Sequence, residues 1–267
     1  MTLGQRGYIT TVTQARPRLH VGWKPPLGVA SAVLGEGCAL RCWVYVDGFN
    51  LYHGLRKRQG CCCKWLDLLE LGRRLRPRDT IERIKFFTAL VERRTDDPDQ
   101  QRRQRLYWRA LDTLGRVERI EGRFTRWPKS MPLYQSVLTL EAREKQGEDV
   151  VAIKPQMVEV LRSEEKGSDV NLATHLVHDA NQTDPARTFE VALVLSTDSD
   201  LAEAIRLVTR EVGKPVYVCK PEPRSRTVEL AGVATAVFDL KTRDLVASQL
   251  PPTLTDARGA FSKPPQW

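Results

Sequence analysis

Glu190-Val-Ala-Leu-Val-Leu-Ser-Thr-Asp-Ser-Asp200 decides the fold. After Glu190, its next five residues are a short apolar run that stops abruptly at hydroxyls and acids. The stretch that follows, Ser199 to Val212, has helical spacing. A buried strand feeding a helix is the reading this predicts. The segment Cys42 to Val46 (CWVYV) repeats the pattern, stopping at Asp47-Gly48 before a helical stretch from Leu51 to Lys57. Arg83 to Val91, Pro215 to Cys219 and Thr235 to Phe238 read as further strands. Val117 to Phe124 and Val158 to Leu161 read as extended. Trp65 to Leu75, Asp99 to Leu114 and Ser168 to Ala180 read as helices. Pro128 to Ile153 is expected to be an irregular excursion. Apolar strands alternating with amphipathic helices predict an α/β fold with a mainly parallel sheet.

The chain has 267 residues, 41% hydrophobic and 28% charged, enough apolar material for one sizeable core. No apolar run approaches the roughly 18 residues of a membrane helix; Leu27 to Leu34 is about half that length. Residues 1–41 show no sustained period and are expected to be a disordered leader. Residues 42–250 are the expected domain. The tail 251–267 holds four of the sixteen prolines and is expected to lie across the surface or be loose.

The net charge of +9 is concentrated, with 21 Lys or Arg against 11 Asp or Glu between Arg56 and Ser130. A basic lobe beside a neutral one suggests a polyanionic partner, nucleic acid first. In the helix Asp99 to Leu114, residues 107, 110, 111 and 114 take the core face. Arg102, Arg103 and Arg105 are therefore expected in solvent, where they would bind substrate phosphates. The six cysteines include no CxxC pair and read as reduced thiols of a cytoplasmic protein.

The acids fall at strand-to-helix junctions. Asp47 ends one strand, Asp198 and Asp200 follow another, and Asp169 opens a helix. In an open parallel sheet ligands bind outside the carboxyl ends of the strands, so these four are expected to converge. Clustered carboxylates raise each other's pKa, and a hard divalent cation, Mg²⁺ or Mn²⁺, relieves that. Asp200 with Glu203 also reads as a capping box, and Asn50 as a cap. His175 and His178 share one helix with Asp179, without an obvious third metal partner. No G-x-G-x-x-G or Walker loop follows a strand.

Three blocks resemble the NYN-domain family of the PIN-like nuclease superfamily. They are Val46-Asp-Gly-Phe-Asn-Leu-Tyr52, Glu165-Lys-Gly-Ser-Asp-Val-Asn-Leu-Ala-Thr174 and Leu195-Ser-Thr-Asp-Ser-Asp-Leu201. Lys64-Trp-Leu-Asp-Leu68, Ile84-Lys-Phe-Phe-Thr-Ala89 and the Lys-Pro-Pro-Gln-Trp ending are similar to a bacterial LabA-like subgroup. The resemblance implies a Rossmann-like (PIN-like) three-layer sandwich with a central sheet of about five strands, and a Mg²⁺- or Mn²⁺-dependent endoribonuclease acting on single-stranded RNA, with Asp47, Asp169, Asp198 and Asp200 at the metal. It places Asn50, Ser196 and Thr197 beside them, with Thr197 where many relatives have Gly. The alternative is an RNA-binding or regulatory protein that cleaves poorly. A phosphatase is disfavoured because Phe49 stands where the second aspartate of a D-x-D loop belongs.

Overall fold

A computed structural model describes residues 39–58, 63–93, 95–151, 153–222, 225 and 227–267. The expected leader lies outside the described residues except for its last three. Leu40 packs against the core, and Arg41 already belongs to the first strand. The elements run β1 (Arg41–Asp47), α1 (Gly48–Arg56), α2 (Leu68–Leu75), β2 (Thr80–Thr88), α3 (Gln100–Asp112) and β3 (Val117–Glu121). Then come β4 (Arg123–Pro132), α4 (Tyr134–Lys145), β5 (Met157–Lys166), α5 (Ser168–Ala180) and β6 (Val191–Leu195). A 3-10 turn at Ser199–Leu201 leads into α6 (Ala202–Arg206), which continues as a π-helical segment, Leu207–Val212. The chain finishes with β7 (Val216–Lys220), α7 (Val228–Ala231), β8 (Ala236–Asp239), α8 (Thr242–Ala247), β9 (Thr253–Asp256) and β10 (Gly259–Ser262).

The central sheet has six strands in the order β3-β2-β1-β6-β7-β8, every neighbouring pair parallel. This is the expected α/β sandwich with one strand more. The expected extended run Val117 to Phe124 divides into β3, at the sheet edge, and the start of β4, which belongs to a separate ribbon. Alternation along each strand sends side chains to opposite faces. Cys42, Val44 and Val46 join one core with α1, α2 and α3, whereas Trp43 and Tyr45 join a second with α5 and α6. In the second core Lys85 is buried and held by Asp179 at 2.6 Å, which also accepts from the Tyr45 hydroxyl at 2.7 Å.

Two expectations fail. The excursion 128–153 is not irregular. β4 and β5 form a ten-pair antiparallel ribbon, with α4 between them. The tail takes the first of its two expected forms, an ordered segment lying on the surface. β9 and β10 make a hairpin, and Phe261 joins Trp65, Ala110 and Leu250 in a small third core. Arg109 clamps this hairpin through both Asp256 oxygens, at 2.8 and 2.6 Å. Cys42 and Cys219 are buried free thiols, but Cys63 is disulfide-bonded, so the expectation of six reduced thiols does not hold. Among the described residues no helix is long and apolar enough to cross a membrane.

Candidate functional site

The chain winds outward from β1 to β3 and returns to wind outward again from β6 to β8. The direction reverses between β1 and β6, and the crevice beyond their carboxyl ends is where such sheets bind ligands. Asp47 stands at the end of β1 and is 4% exposed. One of its oxygens accepts from the Asn50 amide at 2.9 Å, capping α1. The other accepts from the Ser196 hydroxyl at 3.0 Å, across the crevice. Asn50 reaches back the other way, its Oδ1 accepting from the Thr197 amide at 3.1 Å and hydroxyl at 3.0 Å. The two loops are thus tied together by reciprocal bonds. Thr197 is part of that tie.

Asp198 caps the 3-10 turn by accepting from the Asp200 amide at 3.0 Å. The expected box of Asp200 and Glu203 does not form, and Glu203 pairs with Arg206 instead. Asp169 sits in the first turn of α5. Burial above all pushes the Asp47 carboxyl up to about 7, with Asp169 and Asp198 adding repulsion. Burial also pushes Asp169 up to about 6, helped by Asp198, Glu165 and Asp200. Asp47, Asp169 and Asp198 line one cleft; Asp200 is exposed and lies outside its lining. Glu165 joins the cleft and was missed from sequence. The available signal was its position three residues before Ser168, whose amide and hydroxyl it accepts at 3.1 and 2.8 Å.

The cleft encloses about 1580 Å³. That exceeds the usual range for one small ligand, roughly 300–1,000 Å³. Its walls are aromatic as well as acidic, with Phe49, Tyr52, Phe86, Phe124, Trp108 and Trp267. Phe49 and Phe124 meet edge to face at 5.6 Å. Arg56 stands 6.0 Å over the Tyr52 ring, and Arg126 lines the same cleft.

Arg102 and Arg105 are exposed, as expected. Arg103 is not. It is half-buried, ion-paired with Asp97 and turned into the cleft wall, because the buried face of α3 centres on Trp108, Ala110 and Leu111. His175 lies away from the acids, 3.0 Å from Lys85. Among the described residues no three His, Cys, Asp or Glu side chains are grouped closely enough to enclose one metal ion.

Gly48 has no room for a side chain. A Cβ there would stand 2.8 Å from the Phe87 carbonyl oxygen and 2.9 Å from the Phe86 ring. Gly48→Ala is expected to cost about 1–3 kcal/mol in urea unfolding and to displace the adjacent Asp47. An unchanged midpoint would show that this turn yields freely.

No family model matches the chain. It is 28% identical over 255 residues to 6-hydroxy-3-succinoylpyridine 3-monooxygenase HspA of Pseudomonas putida (strain DSM 28022 / S16), a similarity covering 85% of this chain and 75% of that protein. A solved structure of a Vibrio parahaemolyticus RIMD 2210633 protein of unknown function is similar at 15% identity and a TM-score of 0.45, covering 76% of this chain and 94% of that one. The similarity to a monooxygenase overturns the expected ribonuclease, and with it the nuclease and hydrolase assignments and the alternative of a poorly cleaving RNA binder. Carboxylates at strand ends are compatible with more than one chemistry, and the motif blocks alone did not separate them.

Proposed function

We propose that this chain is an oxidoreductase of the monooxygenase type, acting on a small hydroxylated aromatic or heteroaromatic acid in the cleft at the carboxyl ends of β1 and β6. The similarity to the Pseudomonas putida monooxygenase carries the reading, and the aromatic lining of the cleft supports it. A monooxygenase puts one atom of dioxygen into its organic substrate and releases the other as water, with two electrons from an external reductant and two protons.

The chain's own groups suit such a substrate. Aromatic walls stack on a ring, in offset or edge-to-face geometry. Arg56 and Arg126 attract a carboxylate side chain. Asp47, with its carboxyl pushed up to about 7, is poised near neutral pH to take the proton of a ring hydroxyl. Loss of that proton makes the ring electron-rich where oxygen must attack.

Asp47, Asp169 and Asp198 line one cleft but are not grouped closely enough to share a metal ion. A dinucleotide pyrophosphate does not fit the β1–α1 turn, because the Asp47 carboxylate already occupies the helix N-terminus.

The test is dissolved-oxygen consumption by the protein with 6-hydroxy-3-succinoylpyridine and reduced nicotinamide, with and without free flavin and Mn²⁺. The expected result is one dioxygen consumed per product formed. Oxygen and nicotinamide levels that stay flat across this substrate and other hydroxypyridine acids would overturn the proposal.

A further inference from the structure

The ribbon of β4 and β5 with α4 is an arm that the rest of the fold leaves uncovered. No residue of α4 is buried. Most of the large hydrophobic side chains left exposed among the described residues lie on this arm, including Met131, Tyr134, Leu138, Met157 and Val160. A two-stranded ribbon is marginal by itself and needs a third strand or a covering layer. Here the ribbon pairs with no other strand among the described residues. Exposed apolar side chains gathered on one arm point to an interaction site.

The two outer edges differ. β4 carries Pro128 and Pro132, which have no N–H to offer and blunt it against strand addition. β5, MVEVLRSEEK, has no proline. Its free edge is therefore a template for another strand.

Charge selects the occupant. The chain as a whole carries +9, but residues 123–166 hold eight basic and seven acidic side chains. The arm is thus where two copies of this basic protein can meet without repulsion. The geometry points to a homodimer in which β5 of one copy pairs antiparallel with β5 of a second, making a four-stranded sheet. A two-fold axis between Val160 and Leu161 sets Glu159 of each copy opposite Arg162 of the other, and opposite charges facing across strands are stabilising. The arm's base carries Phe124, Arg126, Leu161 and Glu165 on the cleft wall. Dimerisation therefore steadies one side of the site.

Sedimentation equilibrium of the full chain, with Glu159→Arg and with the double variant Glu159→Arg/Arg162→Glu, tests this. The wild type is expected at twice 30.3 kDa, the single variant at the monomer mass, and the double variant back at the dimer mass. A wild type that stays monomeric at about 100 μM overturns the proposal. A dimer that survives Glu159→Arg, or a double variant that stays monomeric, places the contact elsewhere and overturns it too. Circular dichroism of both variants, matching the wild type, excludes unfolding as the cause of dissociation.

Discussion

Replacing Asp47 by Asn is expected to stabilise the protein at pH 8 while abolishing its activity. The folded carboxyl titrates at about 7, above its ordinary value of 3.8, so the folded state binds this proton more tightly than the unfolded chain does. The contribution is fully present below about pH 4 and is lost as pH rises through 7. Above that, an ionised carboxylate sits buried beside Asp169 and Asp198. Three pH units correspond to about 4 kcal/mol as an upper figure. Asn keeps the shape and caps a helix as well as Asp does. The variant should match the wild type near pH 4 and exceed it by roughly 2–4 kcal/mol at pH 8. A variant that melts below the wild type at pH 8 would show that the carboxylate is stabilised as an anion.

The second large effect is expected at Trp65. It is fully buried, donates from Nε1 to the Pro251 carbonyl at 2.8 Å and packs against Tyr107 and Trp267 at centroid distances of 6.1 and 6.3 Å. Its carbonyl accepts from the Leu250 amide at 2.9 Å. It is the anchor on which the C-terminal hairpin docks. Trp65→Ala is expected to cost about 3–5 kcal/mol in urea unfolding. It should also speed amide exchange through Thr253–Ser262, and the loss of Trp267 from the cleft wall should weaken substrate binding. A loss below about 1 kcal/mol would mean that the hairpin holds without its anchor.

The sheet could be read from the sequence because its strands are buried on both faces. Cys42 to Val46 and Val191 to Leu195 are unbroken apolar runs, and nothing else of that length fits them. The arm could not. β4 has two prolines and α4 buries nothing, so neither shows the alternation or the 3.6-residue stripe that burial imposes. The hairpin at 253–262 was hidden for a related reason. Its one buried side chain, Phe261, is too little pattern to separate docking from looseness.

At the site, Asp169 joins Asp47 and Asp198 from the first turn of α5, and the meeting of those two follows from strand ends. Their partners do not. That Asp198 rather than Asp200 caps the turn depends on two residues of register, and Glu165 enters only because the ribbon folds back on Gly122, where a Cβ would stand 2.5 Å from its oxygen. The chemistry was least visible of all. A raised carboxyl serves metal-assisted hydrolysis and proton removal from a ring hydroxyl equally well, and the aromatic walls are assembled from α1, β2, α3, β4 and the C-terminal residue, which are far apart in sequence.

The most direct measurement of the central claim is isotopic. The protein is incubated with 6-hydroxy-3-succinoylpyridine and reduced nicotinamide, once under ¹⁸O₂ in ordinary water and once under ordinary oxygen in H₂¹⁸O, and the product is weighed by mass spectrometry. The account predicts one ¹⁸O atom in the product from the gas, none from the water, and no product from Asp47→Asn. Label arriving from water alone would identify hydrolytic chemistry and contradict it.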